Sequence, residues 1–314
     1  MSSAASVRSV PVVRHGAMGE RSLTDTVVRE EPLEIRLDGE TLAITMRTPG
    51  ADRELVLGFL WAEGVITSLA DVAAVAHCAN DENCIEVTPS DRMRRTASAN
   101  IGLRRGTMTT SACGVCGRRT IDDLLARCTP LTSVTTMSAA ALTRGTRQLL
   151  QAQPIFALSG GCHGAALVDT AGTVIAARED VGRHNAVDKL VGALLLAGRL
   201  PAGVLPADVL PAGVLSAGVL PAGVLSADSR TGERAGAAAP IPGALIVSGR
   251  TSFEIVQKAV AAGIAIVAGI SAASTLAIDT AELAGVTLAG FVRNDELVVY
   301  THAERIVPGA SPVG

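Results

Sequence analysis

Apolar and polar residues begin to alternate regularly at Leu33-Glu34-Ile35-Arg36-Leu37, and the alternation resumes at Leu42-Ala43-Ile44-Thr45-Met46, on either side of Asp38-Gly39. A period of two around an Asp-Gly turn predicts a β-hairpin. Residues 52–62 (DRELVLGFLWA) change to helical spacing, and Gly64 ends the helix. A strand is expected over 84–88, and a helix over 118–127 (RRTIDDLLAR), just after Cys113 and Cys116. The second half has a different rhythm. A helix over 138–151 leads to strands at 155–158, 165–169 and 174–177 and a helix over 183–197. Strands at 244–247, 264–268 and 286–291 then alternate with helices at 252–262 and 273–284, and a last strand, 297–300, follows a turn at Asn294-Asp295. Alternating apolar strands and helices predict a sheet covered on both faces, an α/β fold class (α+β, two-domain).

Two stretches break this order. Residues 1–20 have no such pattern and read as a flexible leader, and they hold no apolar run of secretory type. Residues 201–225 repeat a five-residue unit, PAGVLPADVLPAGVLSAGVLPAGVL. That period matches neither helix nor strand, and a Pro or Ser opens every unit, so the stretch is expected to be a disordered low-complexity loop. Two uncharged stretches, 209–227 and 259–278, are long enough to test as membrane spans. The first is broken by proline and glycine, and the second reads as helix end, strand and helix start. The expectation is therefore no membrane association and a cytoplasmic protein.

Composition narrows the functional class. Charged residues are 18% of the chain and the net charge is -3, which excludes a dedicated basic nucleic-acid binder. Aromatic residues at 2% leave little surface for stacking bases, so no nucleic acid is expected as a partner. Six cysteines in 314 residues are too sparse for a disulfide scaffold and favour a reducing compartment.

Four polar motifs stand out against this apolar background. Cys113-Gly114-Val115-Cys116-Gly117 places two thiols just before a helix start and beside Arg118 and Arg119, a setting that favours thiolate. The spacing alone allows a redox disulfide, half a zinc site or a sulfur-carrying nucleophile. Ser159-Gly160-Gly161-Cys162-His163-Gly164 joins two strands with glycines that serve either close ligand approach or a tight turn. Residues 179–189 (EDVGRHNAVDK) open a helix on which His184 and Asp188, four apart, can touch. Arg183, His184 and Asn185 at a helix start suit an anionic or nucleotide ligand. Ser248-Gly249-Arg250-Thr251-Ser252 is a strand-to-helix turn of phosphate-binding type without the Walker lysine. With residues 271–275 after the next strand, it sets several helix starts along one sheet edge, where open α/β sheets bind ligands. His302-Ala303-Glu304 with Cys113 and Cys116 imitates a zinc deaminase signature, but in reversed order and with Ala112 in the proline position.

Six blocks in order, LVLGFLWAEGVI (55–66), CGVCG (113–117), SGGCHGAALVD (159–169), EDVGRHNAVDKLVG (179–192), SGRTSFEIVQKA (248–259) and ISAASTLAIDTAE (270–282), closely resemble the FdhD family of formate dehydrogenase accessory sulfurtransferases. The likeness covers residues 21–197 and 241–307. It implies an N-terminal domain over 21–130 that carries the CxxC loop. It also implies a three-layer cytidine deaminase-like domain over 131–307, interrupted at 198–240, with the zinc site lost and no metal held. By the same resemblance, Cys113 takes persulfide sulfur from a cysteine desulfurase (IscS-like), Cys116 assists, and the sulfur passes to bis(molybdopterin guanine dinucleotide) before that cofactor enters apo-formate dehydrogenase. The family's cofactor-binding segment falls on Phe291, Val292, Arg293, Asn294, Asp295 and Glu296. Arg183, His184, Ser248, Gly249 and Arg250 are expected to meet the guanine nucleotide moiety, and a homodimer is expected. A non-catalytic chaperone for cofactor or apoenzyme, with a structural CxxC, and a thiol oxidoreductase are the competing readings.

Overall fold

Residues 6–99, 109–110, 130–200 and 242–308 are described by a computed structural model. The Asp38-Gly39 turn joins β3 (Glu31–Leu37) to β4 (Glu40–Arg47), as the alternation predicts. With β5 (Val72–Cys78), β6 (Asp81–Pro89) and the short β7 (Thr109–Thr110) they make a five-stranded sheet in the order β5-β6-β3-β4-β7. The helix α1 (Asp52–Ala62) lies on one face of this sheet and buries Leu55, Val56 and Leu60 against Leu33, Ile35, Ile85 and Val87. Asp52 and Glu54 favour its start through the helix dipole, and Gly64, at φ +67°, takes the left-handed conformation that ends it. A second helix, α2 (Asp91–Ala99), follows β6.

The second sheet has six strands. β9 (His163–Asp169) and β10 (Val174–Asp180) form an antiparallel pair, and β9 also runs antiparallel to β11 (Pro242–Val247). β11, β12 (Ile266–Gly269) and β13 (Thr287–Arg293) are parallel, and β14 (Glu296–Thr301) closes the edge as a hairpin partner of β13. The helices α5 (Arg183–Leu196), α6 (Phe253–Ala261) and α7 (Thr275–Leu283) cover one face, and α3 (Ala139–Gln151) covers the other. Ser138 caps α3 and Ser274 caps α7, each accepting a backbone N–H three residues on. A parallel two-residue pair, β8 (Met137–Ser138) with β15 (Ile306–Val307), ties the chain end to the start of α3.

The two halves meet where α1 packs on α5. A Cβ at Gly58 would sit 1.9 Å from the Asp188 carbonyl oxygen, and one at Gly192 would sit 1.9 Å from that of Glu54. The two helices therefore touch backbone to backbone, and α5 is buried almost throughout from Asn185 to Leu195.

Three expectations are corrected. Residues 7–20 are not a flexible leader: β1 (Val7–Gly16) pairs with β2 (Gly19–Val28) in a hairpin of ten residue pairs whose base is held by Arg29 N donating to the Ser6 carbonyl. Its mixed polarity hid it, because both faces of this ribbon are largely exposed and no core imposes alternation. The expected strand at 155–158 is the short helix α4 (Pro154–Ser159), with proline in its first turn and the Glu179 carboxylate accepting from Ile155 N and Phe156 N at 3.0 and 2.8 Å. Cys78 and Cys84 are joined as a disulfide across the β5–β6 turn, whereas the sparse cysteines favoured a reducing compartment. The helix expected at 118–127 and the repeat lie outside the described residues.

Because neither helix backbone can retreat, Gly58→Ala should lower unfolding stability by about 2 kcal/mol or more, despite the better helix propensity of alanine. Gly16→Ala, where a Cβ meets nothing within 4 Å, should stay within roughly 0.5 kcal/mol of the parent in urea titration.

Candidate functional site

The polar run at the start of α5 divides into two sets of residues. Asp180 ends β10, fully buried, and its carboxylate is held on every side. Oδ1 accepts from Gly182 N at 2.8 Å and Asn185 Nδ2 at 3.2 Å, and Oδ2 accepts from Thr48 N at 3.1 Å and pairs with Lys189 Nζ at 2.6 Å. Lys189 also donates to the Thr48 carbonyl, Asn185 to the Met46 carbonyl, and Val181 N to Thr48 Oγ1. Asp180, Asn185 and Lys189 thus dock the start of α5 onto the end of β4. A buried carboxylate and ammonium are tolerated because each is paired and hydrogen-bonded.

Arg183 and His184 are the residues of the run left facing the carboxyl edge of the six-stranded sheet. The Arg183 Nε is buried without a hydrogen-bond partner among the described residues. A Cβ added at Gly249 would meet His163 Nδ1 at 3.2 Å and Arg183 Cδ at 3.8 Å, so these three residues share one place. His163 opens β9, beside the end of β11 because the two strands are antiparallel. Burial, then the charges of Arg183 and His184, hold its imidazole below the usual histidine range. Ser248 Oγ is already used, accepting from Gly164 N at 2.8 Å, and Arg250 is exposed. Farther along the edge, Phe291 N donates to the Ser271 carbonyl at 3.2 Å, with Phe291 at φ +53°. Val292 points into the core beneath α3, so its side chain meets no ligand. Arg293, Asn294, Asp295 and Glu296 are exposed on the β13–β14 turn.

Sequence reasoning did not find how α5 and α6 lock together. His184 does not meet Asp188: its Nε2 lies 2.6 Å from Glu254 Oε2 and 3.0 Å from Ser252 Oγ, while Asp188 pairs with Lys258 at 2.6 Å. The four residues form two cross-helix polar pairs one turn apart, visible in the sequence only if 184/188 and 254/258 are read together. Burial pushes the Asp188 carboxyl up to about 6 against the pull of Lys258. Beside these pairs, between β4, α1, α5 and α6, lies a pocket of about 190 Å³ with Ile44, Met46 and Phe59 on its apolar side and His184, Glu254 and Lys258 on its polar side. Strand β7 pairs with β4 at Ala43 and Ile44, both of which line this pocket.

Cys113 and Cys116 lie outside the described residues. Among the described residues Cys162 is the free cysteine. Burial, with Glu179 and Asp180 adding to it against a contact from Thr48, pushes its thiol up to about 11, so it stays protonated at neutral pH and is a poor nucleophile. No cluster of three or more His, Cys, Asp or Glu side chains able to hold a metal occurs among the described residues, and none of their helices is long and apolar enough to cross a membrane.

This is a mixed α/β protein whose six-stranded sheet carries a cationic, glycine-lined cluster at its carboxyl edge. The FdhD/NarQ family model matches residues 28–205 and 234–307, and the chain belongs to that family. It is 44% identical over 303 residues to the sulfur carrier protein FdhD of Anaeromyxobacter dehalogenans (strain 2CP-1), covering 93% of this chain and 94% of that one. It is 37% identical over 294 residues to the sulfur carrier protein FdhD of Mycobacterium tuberculosis (strain H37Rv), covering 90% and 92%. A crystal structure described as a formate dehydrogenase accessory protein from Desulfotalea psychrophila shares the fold, with a TM-score of 0.67 at 22% identity over 96% of this chain and all of that one.

The Asp188–Lys258 pair gives a pH-dependent test. Removing the ammonium in Lys258→Met leaves a buried carboxylate, which should cost about 3 kcal/mol at pH 8. Asp188 already binds its proton more tightly in the folded than in the unfolded chain, and without Lys258 tighter still. Protonation therefore relieves the variant as pH falls from 8 toward about 6, where the parent carboxyl titrates. Urea titrations should show its deficit shrinking between pH 8 and pH 5; a constant or growing deficit contradicts the assignment.

Proposed function

We propose that this chain is a sulfur carrier serving formate dehydrogenase. On this reading it takes sulfur from a cysteine desulfurase as a persulfide on Cys113 and passes it to bis(molybdopterin guanine dinucleotide) before that substrate enters the apoenzyme. The family and the names of its relatives support the general role. The observation that supports this reading is the pairing of β7 with β4. Thr110 pairs with Ile44, which lines the pocket, and Cys113 follows Thr110 by three residues in the sequence.

The loading step is a thiol exchange in which no atom changes its total count of electrons through an outside oxidant. The Cys113 thiolate attacks the outer sulfur of the desulfurase persulfide, the bond from that sulfur to the donor cysteine breaks, and the donor leaves as thiolate. Cys116 assists by receiving or releasing sulfur. Buried Cys162 takes no part.

For the nucleotide end of the substrate, the donor set at the sheet edge supports a diphosphate reading. Arg183, whose buried Nε has no partner among the described residues, lies with His163 against Gly249 there, and Arg250 follows as an exposed cation. His184 positions this edge through Glu254 and Ser252. In this reading Phe291 flanks the site, residues 293–296 approach it from the hairpin with Arg293 as their cation, and Ser248 and Val292 contribute backbone only. We read the three layers over 131–307 as a deaminase-like fold without its zinc, and the protein as a cytoplasmic homodimer.

Cys113→Ser should abolish formate dehydrogenase maturation in complemented cells while leaving the folded protein intact. Cys116→Ser should be milder, with persulfide still found on Cys113 by peptide mapping after desulfurase loading. Full activity of the double variant would remove sulfur transfer from the mechanism. In calorimetry with chelator present, GDP should bind and ADP bind more weakly, and Arg183→Ala should weaken GDP by about tenfold or more. Equal or absent binding of both nucleotides would overturn the edge site.

A further inference from the structure

The Cys78–Cys84 disulfide closes a short turn, and residues inside that turn hold a buried cation. Arg47 is almost wholly enclosed; its Nη2 donates to the Glu82 carbonyl at 3.2 Å and to Asn83 Oδ1 at 3.0 Å. The same guanidinium clamps Asp52, with Nε on Oδ1 at 3.0 Å and Nη2 on Oδ2 at 3.1 Å, at the first residue of α1. His77, next to Cys78, lies 3.6 Å from the same carboxylate, and Glu31 lies 3.5 Å from Arg47 Nη1. The next residue, Thr48, is fully buried and holds Asp180, Val181 and Lys189. A hydrogen-bonded path thus runs from the disulfide turn through Arg47 to the start of α1, and through Thr48 to the start of α5.

We propose that Cys78 and Cys84 form a reversible redox modification site, opened by dithiol reductants, whose state sets how firmly Arg47 and Thr48 hold the starts of α1 and α5. Cys78 is half-buried and accessible, whereas Cys84 is buried. The first thiolate of the reductant attacks Cys78 Sγ, the disulfide bond breaks, and Cys84 leaves as thiolate and takes a proton. The second thiol of the reductant then resolves the mixed disulfide. Two electrons have passed to the protein, both cysteines are thiols, and the reductant is a cyclic disulfide. Opening the ring frees the β5–β6 turn and the irregular start of β6, which contributes two of the acceptors of a buried guanidinium at Glu82 and Asn83. A buried donor set with weakened partners is the costly outcome that carries the effect inward. This pair is separate from Cys113 and Cys116 and operates whether or not those residues carry sulfur.

The experiment uses the full chain, oxidised with diamide or reduced with dithiothreitol. Differential alkylation and peptide mapping should find Cys78 and Cys84 linked in the first state and free in the second. Reduction should lower Tm by about 3–5 °C, from the seven-residue ring and the size of the protein. The Cys78→Ser/Cys84→Ser variant should melt like the reduced protein and lose nothing further in dithiothreitol, which separates the effect from the other cysteines. Amide hydrogen exchange at Thr48, Val181 and Gly182 should be about tenfold faster in the reduced protein. Recovery of both cysteines as free thiols after diamide overturns the site, and faster exchange confined to 79–83 overturns its reach to α5.

Discussion

The contact on which the remaining structure depends is the close approach of α1 and α5. At Gly58 and Gly192 there is no side chain between the helices, so each backbone is the other's packing surface. Close-packed interiors resist expansion, and a gap of even one methyl group at this point would be felt along both helices. Each helix also lies on its own sheet. The separation of the two sheets, the depth of the pocket between them and the height at which α5 presents Arg183 and His184 are therefore all set by two glycines.

Onto this contact the chain adds an electrostatic joint. A buried carboxylate at Asp180 is neutralised by Lys189 and satisfied by backbone groups from both halves, and the arrangement is directional in a way apolar packing is not. The joint costs desolvation but fixes register: Thr48 must stand opposite Asp180, or several buried groups lose partners at once. Rigidity at the first turn of α5 is what a ligand-binding helix start requires, since the donors must be in place before the ligand arrives.

Much of this was legible in the residues. The Asp38-Gly39 hairpin, α1 with its terminal glycine, and the alternation of strand and helix after residue 138 follow from periods of two and 3.6 and from turn chemistry. What escaped had competing physics. The β1–β2 ribbon lacks a buried face, so nothing enforced a pattern. At α4 an apolar quartet with strand propensity was turned helical by Pro154 and by a carboxylate from β10 that is distant in sequence. At the site, the run 179–189 was recognised as polar and purposeful, but the partition of its members between structural joint and ligand edge depends on Thr48 and Glu254, contacts that no local pattern contains. His163 joins the edge only because β9 runs antiparallel to β11.

The same topology fixes where the chain can grow. The five-residue repeat is spliced between the end of α5 and the start of β11, whereas the candidate site uses the opposite ends of those two elements. A helix of this length sets the two ends about 20 Å apart. Tandem units are prone to gain and loss by slippage during replication, and each whole unit preserves the reading frame. Copy number at this position can drift without moving any residue of the sheet edge, so the repeat is expected to be the most variable part of the molecule among close relatives.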